Sequence, residues 1–386
     1  MGDRSLATFA IASVRCLGMA LVAVLTLAAC GAGGEESSDP GSRDQADPSV
    51  ERFLEDTLPE AASGSLVVAR DGELVHCTGF GIADREAGVA AECDTVYDIQ
   101  SITKQFTAAA IVSLEMMGAL RVSDPIAEYL GPVPADKREI TLHQLLTHTA
   151  GLSAAVGGDY EPLSREEIVA EALESELRSP PGAEYRYSNV GYSLLAAIIE
   201  KVSGMGYEEF LAERLFAPAG MTQTGYVLPE WGADRVAVEY DARGESHGRP
   251  FDHPWADDGP YWNLRGNGGL LTTAHDMFRW HLALEGDDVL DEHAKRKLFH
   301  PHVPATEGRG SFYGYGWVVL RSDDHGKVVW HDGGNAWSFG LFTRFPEERV
   351  MVFWVTNAYR DKGTGWNLSR LEPMLTEAIV DRVRDG

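Results

Sequence analysis

The order of strand-like and helix-like segments restricts most strongly what this chain can fold into, because strands occupy both ends and helices the middle. Residues 65–70 and 73–80 are apolar runs around Asp71-Gly72, a pair typical of a two-residue hairpin turn. Four further apolar runs are separated by Asp, Gly, Pro and Glu, and they span residues 315–320, 327–330, 339–345 and 350–355. The simplest assembly pairs the N-terminal hairpin with these runs in one antiparallel sheet.

In much of the remaining chain, apolar residues recur at helical spacing, which predicts helices. Helices ending near Leu58 and starting near Leu371 would cover one face of the sheet, and the helices of the middle would form a second lobe. Residues 224–263 are acidic, aromatic and irregular, which is typical of a loop or lid. We therefore expect an α+β fold, in which an antiparallel sheet is flanked by helices, an inserted lobe is mainly helical, and the active-site cleft lies between them.

The N-terminal segment is predicted to be a targeting signal rather than part of the fold. Two arginines precede an uncharged run that ends in Leu27-Ala-Ala-Cys30-Gly31, which is similar to the lipobox of bacterial lipoproteins. That similarity implies a signal peptide over residues 1–29, removed before Cys30, and a lipid on Cys30. The alternative is an uncleaved membrane anchor, because the uncharged stretch continues to Gly34.

The rest of the chain divides into a linker and one domain. Residues 30–50 are rich in Gly, Ser, Pro and acid, so we expect a flexible linker there and a folded domain over residues 51–386. The formal charge of −26 disfavours nucleic acid and anionic membrane surfaces as partners, since both need a basic face. Cys77 and Cys93 are spaced to staple a hairpin, and export would favour a disulfide between them.

A serine and a lysine three residues apart mark the predicted chemical centre. Ser101-Ile-Thr-Lys104 is the only Ser-x-x-Lys in the chain, and it begins an apolar helical repeat that ends at Gly118. Residues three apart share a helix face, so the Lys104 amine can reach the Ser101 hydroxyl. The helix dipole favours a neutral amine there, which can accept the serine proton. Taken alone, a capping serine followed by a solvated lysine is the simpler interpretation.

A serine nucleophile also needs a base and a group that holds the substrate, and a Tyr-x-Asn motif offers both. In Tyr187-Ser-Asn189, a nearby lysine would stabilise the phenolate, so that Tyr187 could act as the general base. The Asn189 amide could bind both the lysine and a substrate amide. Tyr261-Trp-Asn263 has the same spacing, so one of the two matches must be accidental.

His331-Asp-Gly-Gly334 lies between two predicted strands. Its glycines would let a substrate backbone approach closely and leave an N–H free. His331 can be charged or neutral near pH 7, and a β-turn with a surface histidine explains the motif in isolation. The chain has no Gly-x-Ser-x-Gly, His-Glu-x-x-His or Walker sequence, and its histidines form no compact ligand set, so we expect no metal and no cofactor.

The order of these motifs is similar to that of a known family. Three of them follow one another as in the serine β-lactamase and penicillin-binding protein superfamily, in its class C-like branch: Ser101-x-x-Lys104, Tyr187-x-Asn189 and His331-x-Gly333. Leu145-Leu-Thr-His-Thr-Ala-Gly-Leu152 also resembles that branch, and the resemblance covers roughly residues 52–384. It implies the β-lactamase/transpeptidase-like form of the α+β fold.

The resemblance implies a role for each motif. Ser101 would be the acylated nucleophile, Lys104 its proton partner, and Tyr187 the base that later activates water. Asn189 would bind the substrate amide. The N–H groups of Ser101 and Gly334 would form the oxyanion hole. The family order also selects Tyr187 over Tyr261. Tyr261 and Trp262 would instead line the rim of the cleft.

One departure from the family bears on the substrate. β-Lactamases of this branch have Lys-Thr-Gly where this chain has His331-Asp332-Gly333, and that lysine and threonine help to hold the substrate carboxylate. Histidine is a weaker, pH-dependent cation, and Asp332 would repel a carboxylate. Trp337 and Phe339 beside the motif suggest an apolar pocket, although aromatic residues on strands are more often core.

We therefore predict an exported serine hydrolase that forms an acyl-enzyme on Ser101 and cleaves an ester or a D-amino-acid peptide. The alternatives are an acylated penicillin- or peptidoglycan-binding sensor with little turnover, and a class C-like β-lactamase. The expected partners are a small-molecule or peptide substrate and, through the lipid on Cys30, the membrane of the bacterial cell envelope. We expect no nucleic-acid partner, and a monomer.

Overall fold

The computed structural model describes residues 46–305 and 310–385. The predicted signal peptide, Cys30 and most of the predicted linker lie outside the described residues. Helix α1 begins at Pro48, slightly before the domain boundary expected from the sequence, because the Asp47 carboxylate caps it by accepting hydrogen bonds from the Ser49 and Val50 N–H groups. Within the described ranges, no helix combines the length and apolar character that a membrane span requires.

The described chain alternates short strands and helices. The strands are β1 (Ser63–Arg70), β2 (Glu73–Phe80), β3 (Ile82–Asp84), β4 (Val89–Ala90), β5 (Tyr97–Asp98), β6 (Trp255–Ala256), β7 (Gly259–Pro260), β8 (Leu271–Thr272), β9 (Val303–Pro304), β10 (Ser311–Tyr313), β11 (Val318–Ser322), β12 (Gly326–Gly334), β13 (Phe339–Phe345) and β14 (Val350–Ala358). The helices are α1 (Pro48–Thr57), α2 (Thr103–Met116), α3 (Leu142–Leu146), α4 (Arg165–Glu174), α5 (Asn189–Ser203), α6 (Tyr207–Leu211), α7 (Ala274–Glu285), α8 (Glu292–Leu298) and α9 (Leu368–Asp385).

One eight-stranded antiparallel sheet joins the two ends of the chain, as the sequence predicts. Its strand order is β2-β1-β14-β13-β12-β11-β10-β9. The first hairpin turns at Asp71 and Gly72, whose φ angles of 56° and 80° belong to the left-handed region that a two-residue turn requires. Strand β1 then pairs with β14 over its whole length, with Val67 opposite Phe353. The predicted α+β fold with an antiparallel sheet is therefore confirmed.

Each face of the sheet has its own core. On one face, Leu54 of α1 and Leu375 and Ile379 of α9 pack against strand residues that include Val68 and Trp354. On the other face, Val67 and Phe353 belong to a larger core that also contains α2, α5 and α7. The N- and C-terminal helices thus cover one face as predicted, while the helical lobe and the nucleophile helix lie behind the other.

The structure differs from the sequence prediction at His331-Asp-Gly-Gly334. These four residues end strand β12 instead of forming a turn between two strands, and they pair with β13 from Phe342 to Phe339. Glycine lowers strand propensity, so a glycine pair at a strand end is easily interpreted as a turn. Here the register of β12 with β13 fixes the motif at one edge of the cleft.

Cys77 and Cys93 are joined by a disulfide, with their Cα atoms 5.9 Å apart. Cys77 lies on β2, and Cys93 lies in the loop that follows β4. The bridge connects the edge strand of the main sheet to the segment that leads into the nucleophile turn. That separation is within the range that a disulfide needs.

Candidate active site

Ser101 lies in a tight turn and not at the helix cap that the sequence suggests. Residues 100–102 form a 3₁₀ turn, and α2 begins two residues after the serine. The residue before it, Gln100, has φ 51°, a left-handed conformation that non-glycine residues rarely adopt. The Asp98 carboxyl accepts the Gln100 N–H at 2.6 Å, and the Gln100 amide donates to Ser338 Oγ at 3.2 Å. These two contacts hold the strained turn and present the Ser101 hydroxyl to the cleft.

Lys104 is fully buried beneath this turn. Its Nζ lies 2.9 Å from Ser101 Oγ and donates to the Asn267 carbonyl at 2.7 Å. Burial lowers the pKa of the Lys104 amine well below its usual value, and Asp332 and Asp159 only partly oppose this effect. A neutral amine with one N–H on a carbonyl has a lone pair available for the serine proton. The sequence prediction of a lysine that can take this proton therefore has a geometric basis.

Tyr187 completes the arrangement from the other side of the serine. The Ser101 side chain is near enough to lower the pKa of the Tyr187 phenol in part, and the Lys104 Nζ lies 4.8 Å from the centre of the Tyr187 ring. About a third of the side chain is exposed, at 36%, yet desolvation still raises the pKa of the phenol. Because desolvation raises the pKa of the phenol, the expected phenolate is not favoured in the free site. Tyr187 is placed as a proton donor and relay, with Lys104 as the first acceptor.

His148 is a site residue that the search for catalytic motifs did not single out. Its ring centre lies 4.3 Å from that of Tyr187 and 4.7 Å from that of Tyr313, and its side chain is 1% exposed. His148 Nδ1 accepts the N–H of Ser188, the residue that caps helix α5. The only sequence signal was its place in the Leu145–Leu152 stretch, which carried the family resemblance. The contacts make His148 a support for the Tyr187 backbone and ring.

We expect His148→Phe to lower kcat about tenfold with little change in KM, because phenylalanine fills the space but leaves the buried Ser188 N–H without an acceptor. The loss of that hydrogen bond should also destabilise the fold by about 1–3 kcal/mol. Steady-state kinetics and thermal unfolding of the purified protein measure both effects. His143→Phe is the matched control, since His143 contacts Tyr315 instead. Unchanged kcat in His148→Phe with the predicted loss of stability would make His148 purely structural.

His331 is buried and has protein partners on both ring nitrogens. Burial, with Lys104 as a second cause, lowers the pKa of His331 to about 3, so the ring is neutral at physiological pH. Nδ1 then donates to the Asp332 carbonyl at 2.5 Å, and Nε2 accepts the Tyr313 hydroxyl at 2.9 Å. The sequence placed His331 among the substrate-binding residues. Because its side chain is 2% exposed and fully occupied, His331 positions Tyr313 instead of offering charge to a ligand.

Strand β12 passes directly behind the nucleophile turn at Gly333. A Cβ atom on Gly333 would lie 2.4 Å from the Ile99 carbonyl oxygen and 2.7 Å from the Ser101 nitrogen, so only glycine fits. The next residue, Gly334, ends the strand, and a Cβ there would lie no closer than 3.3 Å to its neighbours. This close approach brings β12 to the Ser101 N–H, where an oxyanion hole formed with the Gly334 N–H would lie.

Asn189 and Asp332 border the same cleft. Asn189 is the first residue of α5, its N–H donates to the Ala154 carbonyl, and its Oδ1 atom has no partner within the described structure. An amide oxygen without a protein partner can accept a substrate N–H. Asp332 is exposed at the cleft, where desolvation raises the pKa of its carboxyl and Lys104 partly opposes this shift. A cavity of about 660 Å³ opens beside Tyr187, between residues 152–155 and 185–187.

The loop over residues 260–270 supports the lysine, which the sequence did not predict. The Asn267 side chain donates to the Asn263 carbonyl at 2.8 Å and to Ser193 Oγ at 3.0 Å, and this fixes the carbonyl that receives Lys104. The second Tyr-x-Asn match thus contributes to this support only through the backbone carbonyl of Asn263, whose side-chain polar atoms have no partner in the described structure, while Tyr187 is the tyrosine whose ring lies near Lys104. Trp262 is buried against Arg265 and does not line an open rim.

The aromatic residues beside β12 have separate roles. Phe339 is buried in the core over α9 and packs against Tyr359. Trp337 is half-buried and lies between the rings of His247 and His253, with centre-to-centre distances of 4.5 and 4.9 Å. The predicted apolar pocket is therefore replaced by a core residue and a stack of aromatic rings.

This geometry defines a class of protein: an α+β fold with a serine nucleophile, a buried lysine and a tyrosine. The beta-lactamase family matches residues 52–370, so the chain belongs to the beta-lactamase family, within the serine β-lactamase and penicillin-binding protein superfamily. It is a serine hydrolase of that superfamily.

Individual relatives agree with this assignment. Penicillin-binding protein 4* of Bacillus subtilis (strain 168) is 29% identical over 313 residues, which cover 78% of this chain and 69% of that protein. The octameric penicillin-binding protein homologue from Pyrococcus abyssi is 26% identical with a TM-score of 0.71, covering 84% of this chain and 77% of that one. D-amino acid amidase from Ochrobactrum anthropi SV3 shares the fold at 22% identity and a TM-score of 0.73, covering 86% and 98% of the two chains.

Proposed function

We propose that this serine hydrolase cleaves a small ester or a D-amino-acid amide or peptide through an acyl-enzyme on Ser101. The observation that carries the reaction type is the 2.9 Å separation between Ser101 Oγ and the buried Lys104 Nζ, which also lies 4.8 Å from the centre of the Tyr187 ring. A nucleophile that contacts both a proton acceptor and a proton donor can pass one proton from its own hydroxyl to a leaving group.

The proposed reaction moves that proton in two steps. In acylation, neutral Lys104 takes the Ser101 proton while Oγ attacks the substrate carbonyl, and the N–H groups of Ser101 and Gly334 stabilise the negative oxygen. As the carbonyl reforms, the bond to the leaving group breaks, and this group takes the Tyr187 proton while the Lys104 ammonium reprotonates Tyr187. In deacylation, water gives a proton to the same pair and attacks the ester carbon. The bond from this carbon to Ser101 Oγ then breaks, and the pair returns the proton to Oγ as the acid leaves.

The substrate class follows from the residues at the end of β12. Where β-lactamases of the class C-like branch have lysine and threonine, this site has a neutral, buried His331 and the exposed carboxyl of Asp332. A substrate carboxylate would gain no cation from His331 and would meet repulsion from Asp332. A neutral ester or an amine-bearing D-amino-acid derivative avoids this cost. D-amino acid amidase has the same fold, which agrees with an amide substrate but does not by itself indicate one.

Asp332→Thr should raise kcat/KM for carboxylate-bearing β-lactams about tenfold and lower it for amine-bearing D-amino-acid esters by a similar factor, since about 1.4 kcal/mol of charge interaction corresponds to tenfold. Both values are measured with nitrocefin and with a D-phenylalanine p-nitrophenyl ester. Asp324→Thr changes the same charge on an exposed loop at the far end of β12 and should alter neither. Equal effects on both substrates would argue against charge selection at this position.

The experiment that tests the function compares four substrates with purified protein and with Ser101→Ala. These are a p-nitrophenyl ester, nitrocefin, a D-Ala-D-Ala peptide and a labelled penicillin. Turnover of the ester or peptide that disappears in Ser101→Ala supports the proposal. Stoichiometric labelling by penicillin without turnover of any substrate would instead identify the acylated sensor. Activity that persists in Ser101→Ala would rule out the acyl-enzyme mechanism.

We also propose that the protein is an exported lipoprotein anchored to the bacterial cell envelope through Cys30. The support is the Leu27-Ala-Ala-Cys30-Gly31 sequence, followed by a linker rich in Gly, Ser and acid. Labelling of expressing cells with a radioactive fatty acid tests this directly. Wild-type protein should carry label in the membrane fraction, and Cys30→Ser should not. Membrane-bound but unlabelled wild-type protein with an intact N-terminus would identify the uncleaved anchor.

A further inference from the structure

A buried group of two sulfur ligands and one nitrogen ligand lies around the disulfide. Within residues 46–305 and 310–385, Cys77, Cys93 and His275 form one group of metal-ligating side chains whose ligand atoms all lie within 4.8 Å of one another. All three residues are buried, with exposed fractions of 3%, 4% and 6%. Histidine spacing in the sequence does not reveal this group, because the fold brings these residues together from β2, the loop after β4 and α7.

His275 has one engaged ring nitrogen and one buried ring nitrogen without a partner, as His148 also does. The His275 Nδ1 atom contacts Asp94 Oδ1 at 2.8 Å, whereas Nε2 is buried and has no hydrogen-bond partner in the described structure. A buried polar atom without a partner is costly, so it calls for an explanation. Metal-binding histidines in proteins typically hold a carboxylate on one nitrogen and the metal on the other, because the carboxylate fixes the tautomer and the ring orientation. The Asp94–His275 pair has this arrangement.

The backbone around the three ligands is held in place. The Cα atoms of Cys77 and Cys93 are 5.9 Å apart, and the Ala274 N–H donates to the Cys93 carbonyl, which ties the start of α7 to the cysteine loop. Ligands of a tetrahedral zinc ion lie about 3.5–4 Å from one another, given Zn–S bonds of about 2.3 Å and Zn–N bonds of about 2.0–2.1 Å. Rotation of the two free thiolates could therefore reach this geometry with little movement of the backbone.

We propose that Cys77, Cys93 and His275 form a redox-gated zinc site, which is separate from the proposed hydrolase chemistry at Ser101. While the disulfide is intact, both sulfurs are bonded to each other. A two-electron reductant such as a dithiol converts the disulfide to two thiols and is itself oxidised to a cyclic disulfide. Zn²⁺ then displaces one proton from each thiol and binds two thiolates, His275 Nε2 and a water molecule. Either the disulfide or the zinc ion ties β2 to the segment before the nucleophile turn.

The test measures zinc binding by the full-length protein before and after reduction with a phosphine. The phosphine reduces the disulfide and becomes a phosphine oxide by taking up the oxygen of water. It is chosen because it competes only weakly for zinc. Competition with a chromophoric chelator should give one additional zinc ion per chain only after reduction. Cobalt binding should give the thiolate-to-metal charge-transfer bands and the visible bands of a tetrahedral site. X-ray absorption at the zinc edge should give two sulfur neighbours and at least one nitrogen neighbour.

Matched variants assign the ligands. His275→Ala should weaken zinc binding at least about a hundredfold, and Asp94→Asn, which disturbs only the orienting carboxylate, about ten- to a hundredfold. The exposed His293→Ala should bind as wild type does. Cys77→Ser/Cys93→Ser should lose the site although it retains Cys16 and Cys30. The melting temperature of the oxidised variants, and of the double-serine protein, establishes that each one is folded.

Two outcomes would overturn the proposal. The first is a reduced protein that binds no more zinc than the oxidised protein. The second is a folded His275→Ala protein that binds zinc as tightly as wild type, since the two thiols would then act without the histidine. If His275→Ala does not fold, the zinc-edge spectrum of the reduced wild type decides, because the absence of a nitrogen neighbour excludes His275 as a ligand.

Discussion

Both Lys104→Ala and Lys104→Arg should lower the acylation rate of a p-nitrophenyl ester by about 10³-fold or more. The alanine removes the proton acceptor from its place 2.9 Å from Ser101 Oγ. The arginine keeps a positive charge but cannot lose its proton in a protein, so it cannot take the serine proton. The arginine variant therefore distinguishes whether Lys104 acts as a base or only supplies a positive charge.

The surroundings of Lys104 explain why it can act as a base. Its contacts are a hydroxyl and a carbonyl oxygen, and burial lowers the pKa of its amine. Lys295 is a useful contrast, because it is also buried but is paired with Asp287 and Glu292. Desolvation lowers the pKa of Lys295, but these hydrogen bonds and charges outweigh it and raise the value. The pKa values of these two buried lysines thus shift in opposite directions, because only Lys295 has carboxylates in contact.

The measurement is the burst of p-nitrophenolate in stopped flow, as a function of pH. For wild type, the acylation rate should rise with pH as the Lys104 ammonium loses its proton, with a midpoint below the ordinary lysine value of 10.5. Removal of the nearby negative charge in Asp332→Asn destabilises the ammonium and should shift this midpoint to lower pH. Lys295→Arg is the control for a buried lysine and should keep wild-type rates. Substantial acylation by Lys104→Arg would assign the base to another group.

The sequence predicts the parts of the fold that depend on local chemistry. The Asp71-Gly72 pair predicts the hairpin, and short apolar runs separated by turn residues predict the sheet that joins both chain ends. Ser101, Lys104 and Tyr187 were selected by motif, and the fold brings them into contact. These features can be recognised because the signal of a turn or of a short motif lies within a few consecutive residues.

The remaining site features depend on burial and on contacts between distant segments. Asn267 reaches Lys104 from 163 positions along the chain, and His148 supports the Ser188 N–H across 40 positions. The neutral state of His331 follows from its burial, which no spacing of residues reveals. The Gly333-Gly334 pair was interpreted as part of a turn because glycine is rare within strands, although here it allows β12 to pass the nucleophile turn. Each of these features depends on tertiary contacts between segments that are distant in the sequence.

That close passage leads to the second large expected effect, a loss of activity in Gly333→Ala. The added Cβ would lie 2.4 Å from the Ile99 carbonyl oxygen and 2.7 Å from the Ser101 nitrogen. Both are backbone atoms of a turn that is already strained at Gln100, so they cannot move aside cheaply. Strand β12 must shift instead, and a displacement of about 1 Å at a catalytic group costs about a hundredfold in rate. We expect kcat/KM to fall about a hundredfold or more.

Gly334→Ala is the matched control, because it adds the same methyl group one residue further along β12. Its Cβ would lie 3.3 Å from Phe339 Cδ2 and 3.4 Å from the Ser338 carbonyl oxygen, close contacts that small shifts relieve. The alanine retains the backbone N–H that we assign to the oxyanion hole, so kcat/KM should stay within about tenfold of wild type. Circular dichroism and thermal unfolding measure the expected destabilisation of Gly333→Ala, about 1–3 kcal/mol. If the two variants lost activity equally, the contact of β12 with the nucleophile turn would not be what positions Ser101.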